Sequence, residues 1–157
     1  TPRCEVYITP TYQSANQVIE AGSDIVALDG TPRKRPKGEL FQEIVKKIHQ
    51  QSKVLVMADI STYEEGIRCE AAGADIISTT LSGYTSYSPQ TKSPDFQLIK
   101  KLVKKVKIPV IAEGKIWTPD EAKKAMDCGA FAVVIGSAIT RPMIITERFV
   151  KAIECRR

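Results

Sequence analysis

A chain of 157 residues with 43% hydrophobic and 26% charged side chains has the length of one domain and the apolar content to build a core without disulfides or metals. Cys4, Cys69, Cys128 and Cys155 lie far apart with no Cys-x-x-Cys pair, and His49 is the sole histidine, which argues against a zinc site or a disulfide framework and for a reducing, cytoplasmic setting. The formal net charge of +5 marks neither nucleic acid nor membrane as a partner: the lysines coat predicted helix faces, no basic residues interleave with aromatics, and no apolar run approaches the roughly 20 residues of a membrane span.

In chain order, Val6-Tyr7-Ile8 reads as a first strand, within residues 5–8. Pro10 to Gly22 carries Val18, Ile19 and Ala21 on a helical spacing and ends on a capping glycine. A second strand over 25–28 ends in Asp29, Gly30 and Thr31, and a polar loop follows from Pro32 to Gly38. Leu40, Ile44, Val45 and Ile48 mark an amphipathic helix over Glu39 to Gln51, on which His49 reads as an exposed residue. The third strand, 54–58, ends in Asp59, and Ser61, Thr62, Glu64 and Glu65 have the cap and acidic first turn of a helix closing at Gly73.

A fourth strand, 75–79, leads into the longest irregular stretch, Thr80 to Ser93, whose polar, tyrosine-bearing composition after a buried strand points to function. Pro94 and Asp95 open a helix through Val103. Val110, Ile111 and Ala112 are too few for a helix and too continuous for an exposed strand, so 109–112 reads as a parallel strand covered on both faces, from which Glu113 and Gly114 emerge. A helix from Thr118 to Gly129, a sixth strand over 132–135 exiting at Gly136-Ser137, and a last helix over Ile144 to Ile153 complete the chain.

Six strands alternating with helices make an α/β fold with a parallel sheet and right-handed crossovers, either an open doubly wound sheet or a (β/α)8 TIM barrel. No Gly-x-Gly-x-x-Gly turn follows the first strand, whereas the strand ends read Thr9, Asp29, Asp59, Thr79, Glu113 and Gly136-Ser137. Polar groups at every carboxyl end favour the barrel, where chemistry gathers at that face. Glycine-bearing turns after the last two strands, Gly114-Lys115 and Gly136-Ser137, sit where barrels hold phosphate on backbone amides and a helix N-terminus.

Met57-Ala58-Asp59-Ile60, the run from Thr79 to Thr85, Val110-Ile111-Ala112-Glu113-Gly114 and the run from Gly136 to Pro142, together with Ala27 to Thr31 and Arg35-Pro36, resemble the N-acetylmannosamine-6-phosphate 2-epimerases, bacterial phosphate-binding barrels of sialic acid catabolism. The resemblance implies inversion at C2 of an N-acylmannosamine 6-phosphate, giving the glucosamine epimer, by deprotonation and reprotonation next to the C1 carbonyl, a reaction that needs an acid/base group and no redox cofactor or metal. It implies Glu113 as the active-site glutamate beside an acid/base lysine, with Asp59 and Arg141 contacting the sugar. Gly114, Lys115, Gly136 and Ser137 are the phosphate-binding candidates. Other readings remain open: Asp29 and Asp59 as turn caps, Arg141 paired with a helix end, Lys115 as an exposed loop lysine.

The family's lysine lies just before the segment matching Glu5 to Pro10, upstream of Thr1. The chain is therefore expected to hold the last six of eight β/α units of a single barrel domain spanning 1–157, to be inactive alone, and to belong to a longer, homo-oligomeric (dimeric) protein. An inactive phosphosugar-binding fragment, or another phosphate-binding barrel isomerase, is the alternative.

Overall fold

Three helices begin on one device. In α1 (Tyr12–Glu20), α3 (Tyr63–Ala71) and α5 (Pro119–Asp127) a threonine N-cap, Thr11, Thr62 or Thr118, accepts from the backbone three residues on, and the side chain there, Ser14, Glu65 or Glu121, reaches back to the cap. Each of these helices stops at a residue followed by a glycine with positive φ, Gly22, Gly73 and Gly129, at 92°, 95° and 94°, a conformation that favours glycine. The structure is a computed structural model that describes residue 6 and residues 8–154.

Five strands, β1 (Ile25–Asp29), β2 (Leu55–Asp59), β3 (Ile76–Ser78), β4 (Val110–Glu113) and β5 (Ala132–Val134), form one parallel sheet in the order β1-β2-β3-β4-β5. Helices α2 (Phe41–Gln51) and α4 (Phe96–Lys105) complete the alternation, and α6 (Ser137–Thr140) and α7 (Pro142–Glu154) follow β5. The strand order never reverses, so the sheet is a sector of a barrel wall and not a doubly wound sheet. The expected strand over 5–8 lies outside the described residues apart from Val6, which is buried, and Ile8, whose carbonyl accepts from the Asp29 amide at 3.0 Å.

Strand bounds differ from the sequence reading in an informative way. Asp29, Asp59 and Glu113 are the last paired residues of their strands, Asp29 opposite Asp59 and Glu113 opposite Val134, because their backbones still bond across the ladder. Side-chain alternation then sorts the sheet. Val26, Leu28, Val56, Ala58, Ile77, Val110 and Ala112 are buried and pack in clusters with α2, α3, α4 and α5 through Ile44, Val45, Ile48, Leu98, Ile99, Leu102 and Ala125. Ile25, Leu55, Asp29, Asp59, Ser78 and Glu113 share the other face. Burial on both faces holds for Val110 to Ala112 but not at Ile25 and Leu55, each 44% exposed, because the described elements cover them from the helix side only.

Gly66 is the contact point between α3 and α4. A Cβ there would lie 2.5 Å from Leu102 Cδ2 and 3.8 Å from Ile77. Gly66→Val is therefore expected to destabilise the fold by about 1–3 kcal/mol through overpacking. A urea midpoint equal to the parent's would show that this seam tolerates a side chain.

Candidate active site

The register places carboxylates at the carboxyl ends of β1, β2 and β4, with Ser78 of β3 between the last two, and their neighbours give them different fates. Asp29, fully buried, accepts from the Thr31 amide at 2.9 Å, from Thr31 Oγ1 at 2.6 Å and from the Arg33 guanidinium at 2.6 Å. Arg35, also buried, donates to the Asp29 and Pro10 carbonyls, and burial holds its pKa below the ordinary arginine value. Asp29 is thus a turn cap that holds the β1 loop, one of the roles open to it from sequence.

Asp59 has hydroxyl company instead. Thr80 Oγ1 donates to Asp59 Oδ1 at 2.5 Å, lies 3.1 Å from Glu113 Oε2, and meets Ser78 Oγ at 2.7 Å. Burial pushes the Asp59 carboxyl up to about 7, the charges of Glu113 and Asp29 push the same way, and hydrogen bonds from Thr80 and Ser78 pull back. The Glu113 backbone is locked as well: its N–H donates to Thr79 Oγ1 at 3.1 Å, and Thr79 Oγ1 donates to its carbonyl at 2.9 Å. Asp59 and Glu113, separated by 54 positions in the chain, therefore meet through Thr80 and Ser78. Sequence reading singled out the carboxylates and missed the hydroxyls that join them; the available signal was the Ser78-Thr79-Thr80 run at a strand end.

Beside this pair opens a cavity of about 290 Å³ lined by Thr80, Tyr84, Glu113, Trp117 and four expected phosphate residues, Gly114, Lys115, Gly136 and Ser137. Gly114 has a φ of 96°, and a Cβ on it would come within 3.2 Å of the Thr80 carbonyl, so glycine answers both a conformational and a steric demand there. Gly136 is the N-cap of α6 and Ser137 its first residue. The Lys115 ammonium is engaged by the loop: it donates to the Gly83 carbonyl at 3.1 Å and the Thr91 carbonyl at 2.5 Å. Arg141, between α6 and α7, is exposed and is not among the residues lining this cavity.

Those two lysine bonds fasten the Thr80–Ser93 loop from one side. From the other, Tyr87 Oη donates to the buried Glu65 at 2.7 Å and Thr85 Oγ1 to Ser61 Oγ at 3.0 Å. The long loop is a tied wall of the cavity. His49 is far from this chemistry and pairs with Asp75 at 2.9 Å on the helical side of the sheet.

Comparison with known proteins fits this geometry. The model of the family described as "Putative N-acetylmannosamine-6-phosphate epimerase" matches residues 1–155. The chain belongs to that family. It is 59% identical over 152 residues to a protein of Caldanaerobacter subterraneus subsp. tengcongensis named "Putative N-acetylmannosamine-6-phosphate 2-epimerase", covering 96% of this chain and 64% of the relative. A solved N-acetylmannosamine-6-phosphate 2-epimerase from Clostridium perfringens superposes with a TM-score of 0.91 at 53% identity, over 97% of this chain and 66% of that one. This chain therefore spans about two thirds of the length of the family members it matches. A thiamine phosphate pyrophosphorylase from Pyrococcus furiosus, at a TM-score of 0.58 and 22% identity, shares the fold.

Proposed function

We propose that the protein containing this chain is a cofactor-independent epimerase that interconverts N-acyl-D-mannosamine 6-phosphate and N-acyl-D-glucosamine 6-phosphate, acting in the cytoplasm in amino-sugar catabolism. One observation carries the reading beyond family membership: Asp59 and Glu113 converge at the carboxyl end of the sheet, beside a cavity lined by two glycine turns. A sugar laid between them has its reacting end at the carboxyls and its phosphate at the backbone amides of Gly114 to Lys115 and Gly136 to Ser137, where the free N–H groups opening α6 favour an anion.

The C2 proton is acidic because the open-chain C1 carbonyl spreads the charge left behind, and one group that takes it and returns it to the other face completes the inversion. In this proposal that group is a lysine at the end of the barrel's second strand, Glu113 orients it or shares its proton, Asp59 contacts the sugar, and Arg141 reaches the sugar by movement of the α6–α7 junction. The lysine comes with two further β/α units, six of the eight being in 1–157. The uncovered row at Ile25 and Leu55 is the surface such strands bury. A homodimer is the proposed assembly, supported by Met143, Phe149 and Ile153 on α7, which are 79%, 69% and 70% exposed. No described helix is long and apolar enough to cross a membrane.

Deuterium incorporation at C2 of N-acetylmannosamine 6-phosphate in heavy water tests the reaction, since exchange reports proton removal even without net epimer. A protein that binds the sugar phosphate and exchanges nothing at C2 is a binding module and not an epimerase. Gly136→Val tests the phosphate placement. A Cβ at Gly136 meets no protein atom within 4 Å, so the added side chain has room to occupy the ligand's space. KM is expected to rise by about tenfold or more with kcat changed less, as for loss of uniform binding; a parent-like KM would move the phosphate elsewhere.

A further inference from the structure

Four oxygens at the strand ends make four contacts. Thr80 Oγ1 stands 2.5 Å from Asp59 Oδ1, 2.7 Å from Ser78 Oγ and 3.1 Å from Glu113 Oε2, and Ser78 Oγ stands 3.2 Å from that same Glu113 oxygen. The two hydroxyls supply one hydrogen each. With both carboxyls ionised, hydrogens fill two of the four contacts, and when Thr80 donates to Asp59 its lone pairs face the Glu113 carboxylate. One more proton resolves this. Carried by Asp59 and donated to Thr80, it frees the Thr80 hydrogen for Glu113, while Ser78 donates to Thr80. The three shortest contacts then each hold a hydrogen.

The surroundings favour the same count. Asp29, opposite Asp59 on β1, is an ionised carboxylate paired with Arg33 at 2.6 Å, and its charge disfavours a second one at Asp59. On the other side stand Ser78 of β3 and Glu113 of β4; Glu113 is the end that the proposed function gives to the lysine, so Asp59 is the end left to carry the proton, and among the described residues no lysine or arginine forms an ion pair with it. Asp59 is 3% exposed, so water does little to support a second negative charge there.

We propose that Thr80, with Ser78, is a positioning residue that joins Asp59 and Glu113 into one unit holding a single proton, so that the site meets its ligand as one carboxylic acid and one carboxylate. Thr80 also lets the acid change ends. Asp59 passes its hydrogen to Thr80 Oγ1 as Thr80 passes its own to Glu113; two O–H bonds break, two form, and the threonine ends as it began. The link to C2 chemistry rests on the epimerase reading: the proton can sit at Asp59 or move to the Glu113 end, beside the lysine that takes and returns the C2 proton. The coupling itself does not depend on that reading.

Infrared difference spectra in heavy water test the unit in the protein that contains this chain. The band of the protonated Asp59 carboxyl, assigned by its loss in Asp59→Asn, is followed against pH. Thr80→Val removes the charge-assisted bond that Thr80 gives ionised Asp59, which outweighs the neutral bond it accepts from the protonated carboxyl, and is expected to raise the midpoint by about 1–2 pH units. It is expected to move the same limb of the pH profile for C2 exchange, and Thr80→Ser to restore both. Ser78→Ala, which keeps Thr80, should shift the midpoint less in the same direction, and it carries the test if the valine variant does not fold. Midpoints unmoved in the folded variants overturn the proposal, as does a fall in rate that leaves the midpoint and profile where they were. A parent protein that exchanges nothing at C2 while its Asp59 midpoint still follows Thr80 overturns the epimerase reading alone.

Discussion

Glu113→Gln is expected to slow C2 proton exchange by roughly 10²–10⁴-fold, the range for loss of general acid–base work, in a protein that stays folded. Glutamine keeps the length and the planar head of glutamate. Its carbonyl oxygen can still accept from Ser78 and Thr80, which bond Glu113 Oε2 at 3.2 and 3.1 Å. The backbone anchor from Thr79 is untouched. What disappears is the negative charge and the capacity to take a proton, and with them any means of steering an acid/base lysine. Because the site's shape survives, the sugar phosphate should bind with a dissociation constant within a few-fold of the parent's, and the loss should fall on kcat. Deuterium wash-in at C2 under saturating substrate measures it directly. Exchange at the parent rate would remove Glu113 from the chemistry; weak binding with kcat retained would make it a binding residue.

The fold was legible because alternate β/α units, those of α1, α3 and α5, repeat the same local grammar. A threonine cap opens the helix, an apolar stripe faces the sheet, a positive-φ glycine closes it, and a short apolar strand follows, so Gly22, Gly73 and Gly129 punctuate the sequence as they do the structure. Chain order of the strands followed from the missing dinucleotide-binding turn and the polar strand ends. The carboxylates were legible for the same reason, since a charged residue closing a buried strand has few places to go.

Side-chain partnerships were not legible, whether the partner lies 4 positions away, as Arg33 does from Asp29, or 21, as Thr80 does from Asp59. Asp29 and Asp59 look alike in sequence, each preceded by an apolar run, and only the fold shows that Arg33 and Thr31 neutralise one while Thr80 and Ser78 leave the other carrying the cost of burial. Lys115 illustrates a second limit. A lysine after a strand-end glycine suggests a phosphate ligand, yet the positive φ of 60° at Lys115 accompanies an ammonium that holds the carbonyls of Gly83 and Thr91. Local pattern places the backbone, and the distant loop decides where the charge is spent.

Asp59→Asn should make the protein more stable at alkaline pH while impairing catalysis. Asp59 runs against the usual carboxylate: its pKa is raised from 3.8 to about 7, first by burial and then by the charges of Glu113 and Asp29. Between those values the native state keeps a proton that the unfolded chain has released. Stability contributed by that proton is whole below the unfolded value and is lost as pH rises through the native one. Asparagine is neutral throughout and can still accept from Thr80 while its amide donates toward Ser78 or Glu113. The stability difference between Asp59→Asn and the parent should therefore grow by about 2–3 kcal/mol from about pH 5 to about pH 8, at roughly 1.4 kcal/mol per unit over the part of the shift that this window spans. Comparing the two proteins at each pH cancels every other titrating group. Urea midpoints at both pH values read the difference, and a gap that stays constant with pH would mean Asp59 is ionised in the native protein at neutrality. The same variant tests why a destabilising carboxyl is kept. Asparagine has no proton to pass to Thr80, so C2 exchange should fall even as the fold strengthens, the signature of a residue whose burial cost is borne for the chemistry of the site.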